Sequence, residues 1–151
     1  MADREKTLGE IEHWFFDVYL PHWVSIGADD ARDPAEVLNY WTPPLHVSTT
    51  ALNDCLTEGR QVMDLLTNMQ APLKQAGYTH TNVLDRKITA YNGHSGSIDV
   101  IWSRCGPGDV EIQRRAAHFE IHRRDGNWHI VAFAGDATDK DRLDEIWATA
   151  S

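Results

Sequence analysis

The 151-residue chain has only two cysteines, Cys55 and Cys105. That excludes a disulfide framework, and their spacing matches no zinc motif. No apolar run approaches the roughly 20 residues of a membrane span. The first residues, Met-Ala-Asp-Arg-Glu-Lys, are charged and lead into no apolar signal core, so a soluble cytoplasmic protein is expected. Basic residues are outnumbered: 14 Lys and Arg face 23 Asp and Glu, a net charge of −9. Such a chain repels nucleic acid and anionic membranes, and neither is expected as a partner. There is no repeat, low-complexity tract or linker, and the length suits a single domain over residues 1–151.

What the chain does hold is aromatic residues, six of them tryptophan, and a long amphipathic hairpin. Val110 to Asp136 reads as two strands joined at Arg124-Asp125-Gly126-Asn127, where Asp-Gly supplies the positive backbone angles of a two-residue turn. Phe119 and Ile121 share one face; His118, Glu120 and His122 share the other. The pairs Arg114-Arg115 and Arg123-Arg124 are taken as outward-facing strand arginines.

Before the hairpin, Thr7 and Glu10 form a capping box. Leu8, Ile11, Phe15 and Val18 continue as a helical stripe widened by Trp14 and Tyr19, and Pro21 is expected to kink or end this helix. Asp33-Pro34-Ala35-Glu36 opens a short second helix. Leu45 to Thr49 follows as a short strand. A third helix starts at Thr57, buries Val62, Leu65, Leu66, Met69 and Leu73, and ends at Gly77. Thr79–Tyr91 and Ser97–Arg104 are strands, and a last helix is expected over about 138–149. Ile98, Val100 and Trp102 share a face with Val110 and Ile112 across the Gly-Pro-Gly turn, but the apolar set then moves to Ala117, Phe119 and Ile121. A β-bulge near Arg114-Arg115-Ala116 restores the phase and curls the sheet.

This order makes an α+β fold with helices on one face of a curved, mostly antiparallel sheet. It resembles the nuclear transport factor 2-like superfamily and, within it, the SnoaL-like proteins, through WFFDVYL at 14–20, YWTPPLHVST at 40–49 and HRRDGNWHIV at 122–131. The last segment is also similar to the end of the association domain of calmodulin-dependent kinase II. The resemblance implies a cone-shaped sheet wrapped around three N-terminal helices, an apolar pocket between them, and a homodimer through the outer sheet face. Superfamily members include cofactor-free isomerases, dehydratases, epoxide hydrolases and cyclases, and also proteins that only bind or assemble.

Against that background the expected ligand is a small apolar or cyclic, polyketide-like molecule. If the chain is an enzyme, it is expected to be a cofactor-free lyase or isomerase. His46 is its base, since a histidine titrates near working pH, and Tyr19 and Tyr40 are its hydrogen-bond donors. The alternative is a non-catalytic binding or assembly module. Trp14, Trp23, Trp41, Trp102, Phe119 and Phe133 are the expected wall of the pocket. Ketosteroid isomerase-type chemistry lacks an inward carboxylate, because Asp99 alternates away from Ile98, Val100 and Trp102. Asp99 with Arg115 reads as an outer-face salt bridge. His118-x-Glu120-x-His122 carries metal-ligand residue types, but three same-face positions about 7 Å apart on one strand do not converge on an ion unaided. No cofactor or metal is expected.

Overall fold

A computed structural model describes residues 2–29 and 32–150. The chain opens with α1 (Ala2–Glu12), widens into a π-helical stretch over His13–Tyr19, and resumes as α2 (Leu20–Ala28). Thr7 does not cap this helix. It sits inside it, buried, and its hydroxyl donates to the Asp3 carbonyl at 2.7 Å. Nor does Pro21 end it. The missing amide of a proline inside a helix leaves a carbonyl unpaired and crowded, and the i→i+5 bonds of the π stretch, ending in Leu20 N–H to Phe15 O, open the turn just before it. The widened turns keep Ile11, Phe15 and Tyr19 on one buried line, while Leu8 and Val18, expected inside, are 40% exposed.

Asp33 caps the next segment as anticipated, accepting from Ala35 N–H at 2.9 Å, but Pro34–Asn39 is a 3-10 turn and not an α-helix. Strand β1 (Trp41–Ser48) follows, then β2 (Asn53–Leu56) and α3 (Gly59–Gln75), which begins at a Glu58–Gln61 capping box. Gly77, at φ +84°, ends α3, and Tyr78 N–H closes back on Leu73 O at 2.9 Å.

Four long strands complete the sheet: β3 (His80–Asn92), β4 (Ser95–Cys105), β5 (Glu111–Arg124) and β6 (Asn127–Ala137). The spatial order is β2-β1-β6-β5-β4-β3, with every pairing antiparallel except β1 beside β6. The sheet is open, with β2 and β3 at its edges. The β5–β6 turn forms as read: Asp125 and Gly126 take φ values of 52° and 79°, and Arg124 pairs with Asn127. The helices cover one face, where Phe15, Trp41, Trp102, Phe119 and Phe133 meet in one aromatic core.

The phase conflict in β5 is real, but the register slips elsewhere. Cys105 pairs with Glu111 and Arg104 with Gln113, so Ile112 is the extra residue. Counting back by two from Ile121 therefore puts Arg115 and Gln113 on the helix-covered face. A second slip leaves Val131 unpaired in β6, which lets Ile130 and Phe133 both turn inward. No helix forms over 138–149 beyond a single 3-10 turn at Leu143–Glu145. The Leu143 amide is instead held by Asp85 Oδ2 at 2.8 Å, and Leu143, Ile146 and Trp147 lie over the outer sheet face near Asp99 and Ala116.

Candidate functional site

A cavity of about 300 Å³ lies between α3 and the inner sheet face. Leu65, Met69 and Leu73 of α3 form its roof, and Val47, Leu52 and Phe133 part of its walls. Trp23, Met69, Arg104, Arg115 and Phe133 continue inward into a recess of about 10 Å³, which Tyr19, Trp41, Trp102 and Phe119 close. The recess is about the size of one water.

Of the six aromatic residues expected as a pocket wall, Trp23 and Phe133 border the cavity, and Trp41, Trp102 and Phe119 border only the recess. Trp14 borders neither. Its ring packs against those of Tyr19, 5.8 Å away between ring centres, and Tyr40, 6.1 Å away.

The trio His46, Tyr19 and Tyr40 is not brought together. His46 alternates with the buried Leu45 and Val47, so it points to the outer face, where its Nε2 is 3.8 Å from Cys55 Sγ. It shares an outer groove with Glu120, His122 and His129 and cannot act on anything held in the cavity. Tyr40 faces a surface cluster: its hydroxyl lies 2.6 Å from His22 Nδ1, and Arg32 and His22 both hold Glu36, whose carboxyl falls to about 2. Only Tyr19 reaches the recess. Its oxygen accepts the indole N–H of Trp41 at 3.0 Å, and complete burial pushes its pKa well up, keeping it protonated. Because the oxygen's partner is a donor, the Tyr19 hydroxyl proton is left for another acceptor.

The residues missed at the sequence level are Arg104 and Arg115. Arg104 is only 4% exposed. Its guanidinium lies over Trp23 at 4.0 Å and Trp102 at 4.8 Å, and donates to Thr81 Oγ1 at 3.0 Å and Tyr78 OH at 3.3 Å. Among the described residues no carboxylate pairs with it. Burial pulls its pKa down, and the positive charge of Arg115 adds to that. A buried cation held only by neutral groups is costly unless something else supplies the negative charge. Both arginines were legible: Arg104 continues Ile98-Val100-Trp102 by a step of two, and Arg115 precedes Ala117-Phe119-Ile121 by the same step. Neighbouring strand residues alternate, so Arg114 and Arg115 cannot both point outward. Arg114 does, bonding Glu111 at 3.0 Å.

On the outer face His118 is clamped between Asp99 and Glu120, each at 2.8 Å, and Tyr91 donates to Glu120 at 2.7 Å. The Asp99 hydrogen bond, aided by Glu120 and opposed by partial burial, raises the His118 pKa to about 9. Asp99 thus faces outward as expected, but its partner is His118, directly across the β4–β5 ladder, and not Arg115.

Solved structures share this fold at low sequence identity. An NTF2-like protein with a cystatin-like fold from Novosphingobium aromaticivorans superposes with a TM-score of 0.63 at 16% identity, over 90% of this chain and 85% of that one. A candidate ketosteroid isomerase from Parabacteroides distasonis gives 0.62 at 12% identity, over 89% and 93%. A candidate calcium/calmodulin-dependent protein kinase II association domain from Xanthomonas campestris gives 0.60 at 14% identity, over 84% and 85%. No curated protein matches the sequence. The model of one family, described as NTF2-like protein (DUF6841), matches residues 7–138, and the chain belongs to that NTF2-like family.

Proposed function

We propose that the chain binds a small organic molecule with a carboxylate, or a comparable monoanionic head, in the cavity under α3. The carrying observation is Arg104, a buried guanidinium facing the cavity with no carboxylate among the described residues to neutralise it. Arg115 lines the same space. A planar guanidinium matches a carboxylate in two parallel hydrogen bonds, and the Tyr19 hydroxyl offers a third donor at the recess. The apolar body of the ligand fits against Leu65, Met69, Leu73 and Phe133. The volume sits at the lower end of the about 300–1,000 Å³ of small-molecule pockets, so the ligand is small.

Binding is favoured over cofactor-free isomerase, dehydratase or cyclase chemistry by the composition of the wall. Proton abstraction beside a carbonyl needs a positioned base, and among the described residues lining the cavity and its recess none is His, Asp, Glu, Lys or Cys. A homodimer through the histidine-rich outer face belongs to the same proposal, and light scattering of the purified chain tests it.

The binding test is calorimetric titration with a panel of small aromatic and cyclic carboxylates, each matched to its primary amide. The expected outcome is binding of at least one acid and a clear loss for its amide. Equal binding of acid and amide, or binding of neither across the panel, overturns the reading.

A further inference from the structure

The opposite face of β4 carries a second cluster, independent of the cavity. Cys105 stands directly across the ladder from His80 at the start of β3, and the turn Pro107–Asp109 folds Asp109 back over both. A ring nitrogen of His80, Cys105 Sγ and an Asp109 carboxylate oxygen all lie within 4.8 Å of one another. These are a nitrogen, a sulfur and an oxygen donor of the types that bind zinc. They come from two strands and a loop, so their sequence spacing resembles no motif.

The hydrogen bonds around the cluster hold its donor atoms toward one centre. The Thr79 hydroxyl lies 2.8 Å from His80 Nδ1 and 3.4 Å from the Cys105 carbonyl oxygen, which also accepts the Thr79 amide. On the other side of the ring, Nε2 lies 2.7 Å from Asp109 Oδ1, so these two ligand atoms already face one another. With a cation on Nε2, the Nδ1 proton goes to the Thr79 hydroxyl, the outer hydrogen bond that orients a metal-bound histidine. The Asn82 amide nitrogen also points into the centre, 2.8 Å from Asp109 Oδ1 and 3.6 Å from Cys105 Sγ. Turned over, the same amide presents its oxygen there as a fourth ligand. An ion about 2.0–2.3 Å from each donor spaces them about 3.3–3.8 Å apart in a tetrahedron. The His80–Asp109 pair, now 2.7 Å apart, therefore opens by less than about 1 Å to admit it.

We propose that His80, Cys105 and Asp109 form a binding site for a zinc-like divalent cation, with Asn82 or water completing the coordination. Cys105 anchors the ion from the buried side, while His80 and Asp109 keep the outer side open to solvent.

The test is titration of the untagged chain with Co²⁺, followed by absorption, then competition with Zn²⁺. The expected result is one Co²⁺ per chain with a thiolate-to-cobalt charge-transfer band, displaced by one equivalent of Zn²⁺. Cys105→Ser removes the band, and Cys55→Ser keeps it. Asp109→Asn, at an exposed position that leaves the core untouched, weakens binding more than tenfold with an unchanged circular dichroism spectrum. Thr79→Val weakens it by about 10- to 100-fold. A wild-type titration without the band, or a band that survives Cys105→Ser and disappears with Cys55→Ser, overturns the assignment.

Discussion

Replacing Arg104 by methionine keeps most of the side-chain volume and removes the charge. In the free protein the guanidinium gains two hydrogen bonds, to Thr81 and Tyr78, and lies over two indoles. Hydrogen bonds to a charged group contribute about 1.5–3 kcal/mol each, with the 3.3 Å bond at the weak end. A desolvated cation–π contact adds about 2 kcal/mol. Against these stands the cost of dehydrating a cation without a counter-ion, several kcal/mol by itself. Tyr78 and Thr81 also remain hydrogen-bonded to each other once Arg104 is gone. The opposing terms nearly cancel, so the unliganded variant should lie within about 2 kcal/mol of wild type, a shift in Tm of at most about 8 °C for a chain of this size. The bound carboxylate, in contrast, loses two charge-assisted hydrogen bonds worth about 3 kcal/mol together, which is about a 100-fold rise in Kd. Thermal unfolding without ligand and calorimetry with it measure the two effects separately. A variant that loses more than about 4 kcal/mol of stability yet binds the acid within threefold of wild type would refute the reasoning and make Arg104 a structural residue.

Other expectations concern the sheet and its core. The His118 pKa is raised above that of an unfolded chain, so its contribution to stability is complete below about pH 6.5 and is lost as pH rises through about 9. Urea midpoints of wild type should fall across that window, and those of His118→Gln should not. A Cβ at Gly96 would sit 2.4 Å from the Thr89 carbonyl oxygen and 2.7 Å from Ile11 Cδ1, so Gly96→Ala should cost at least about 1–3 kcal/mol by chemical denaturation. Phe119 touches Phe15, Trp41, Trp102 and Phe133, and Phe119→Ala should cost about 3–5 kcal/mol. A stability change below 1 kcal/mol in that variant would contradict the aromatic core.

Some of this protein was present in the sequence because its causes are local. The Asp125-Gly126 turn needs positive φ at adjacent residues, and few pairs supply it. Asp33 ahead of Pro34 marks a helical start wherever it occurs, and Gly77 ends α3 through its own backbone. The α+β order and the outward Asp99 followed from such signals and from strand alternation. The same alternation already placed His46 opposite Leu45 and Val47, and Arg104 in line with Trp102.

The rest was decided by contacts between distant segments. A bulge flips every later side chain, and whether it falls at Ile112 or at Arg114–Ala116 depends on how β4 and β5 settle against the helices. That choice alone sends Arg115 into the cavity. The π stretch that turns Leu8 and Val18 outward answers to Pro21 and to the core that Phe15 and Tyr19 must fill. The docking of the 138–150 segment on the outer sheet depends on Asp85, more than fifty residues earlier. Likewise, the meeting of His80, Cys105 and Asp109 follows from strand register. The sequence determined the long helices, the long strands and the turn between β5 and β6, because dihedral preference and side-chain period act over a few residues. Only the tertiary structure decided which charges are buried together, because burial belongs to the packed assembly and to no segment alone.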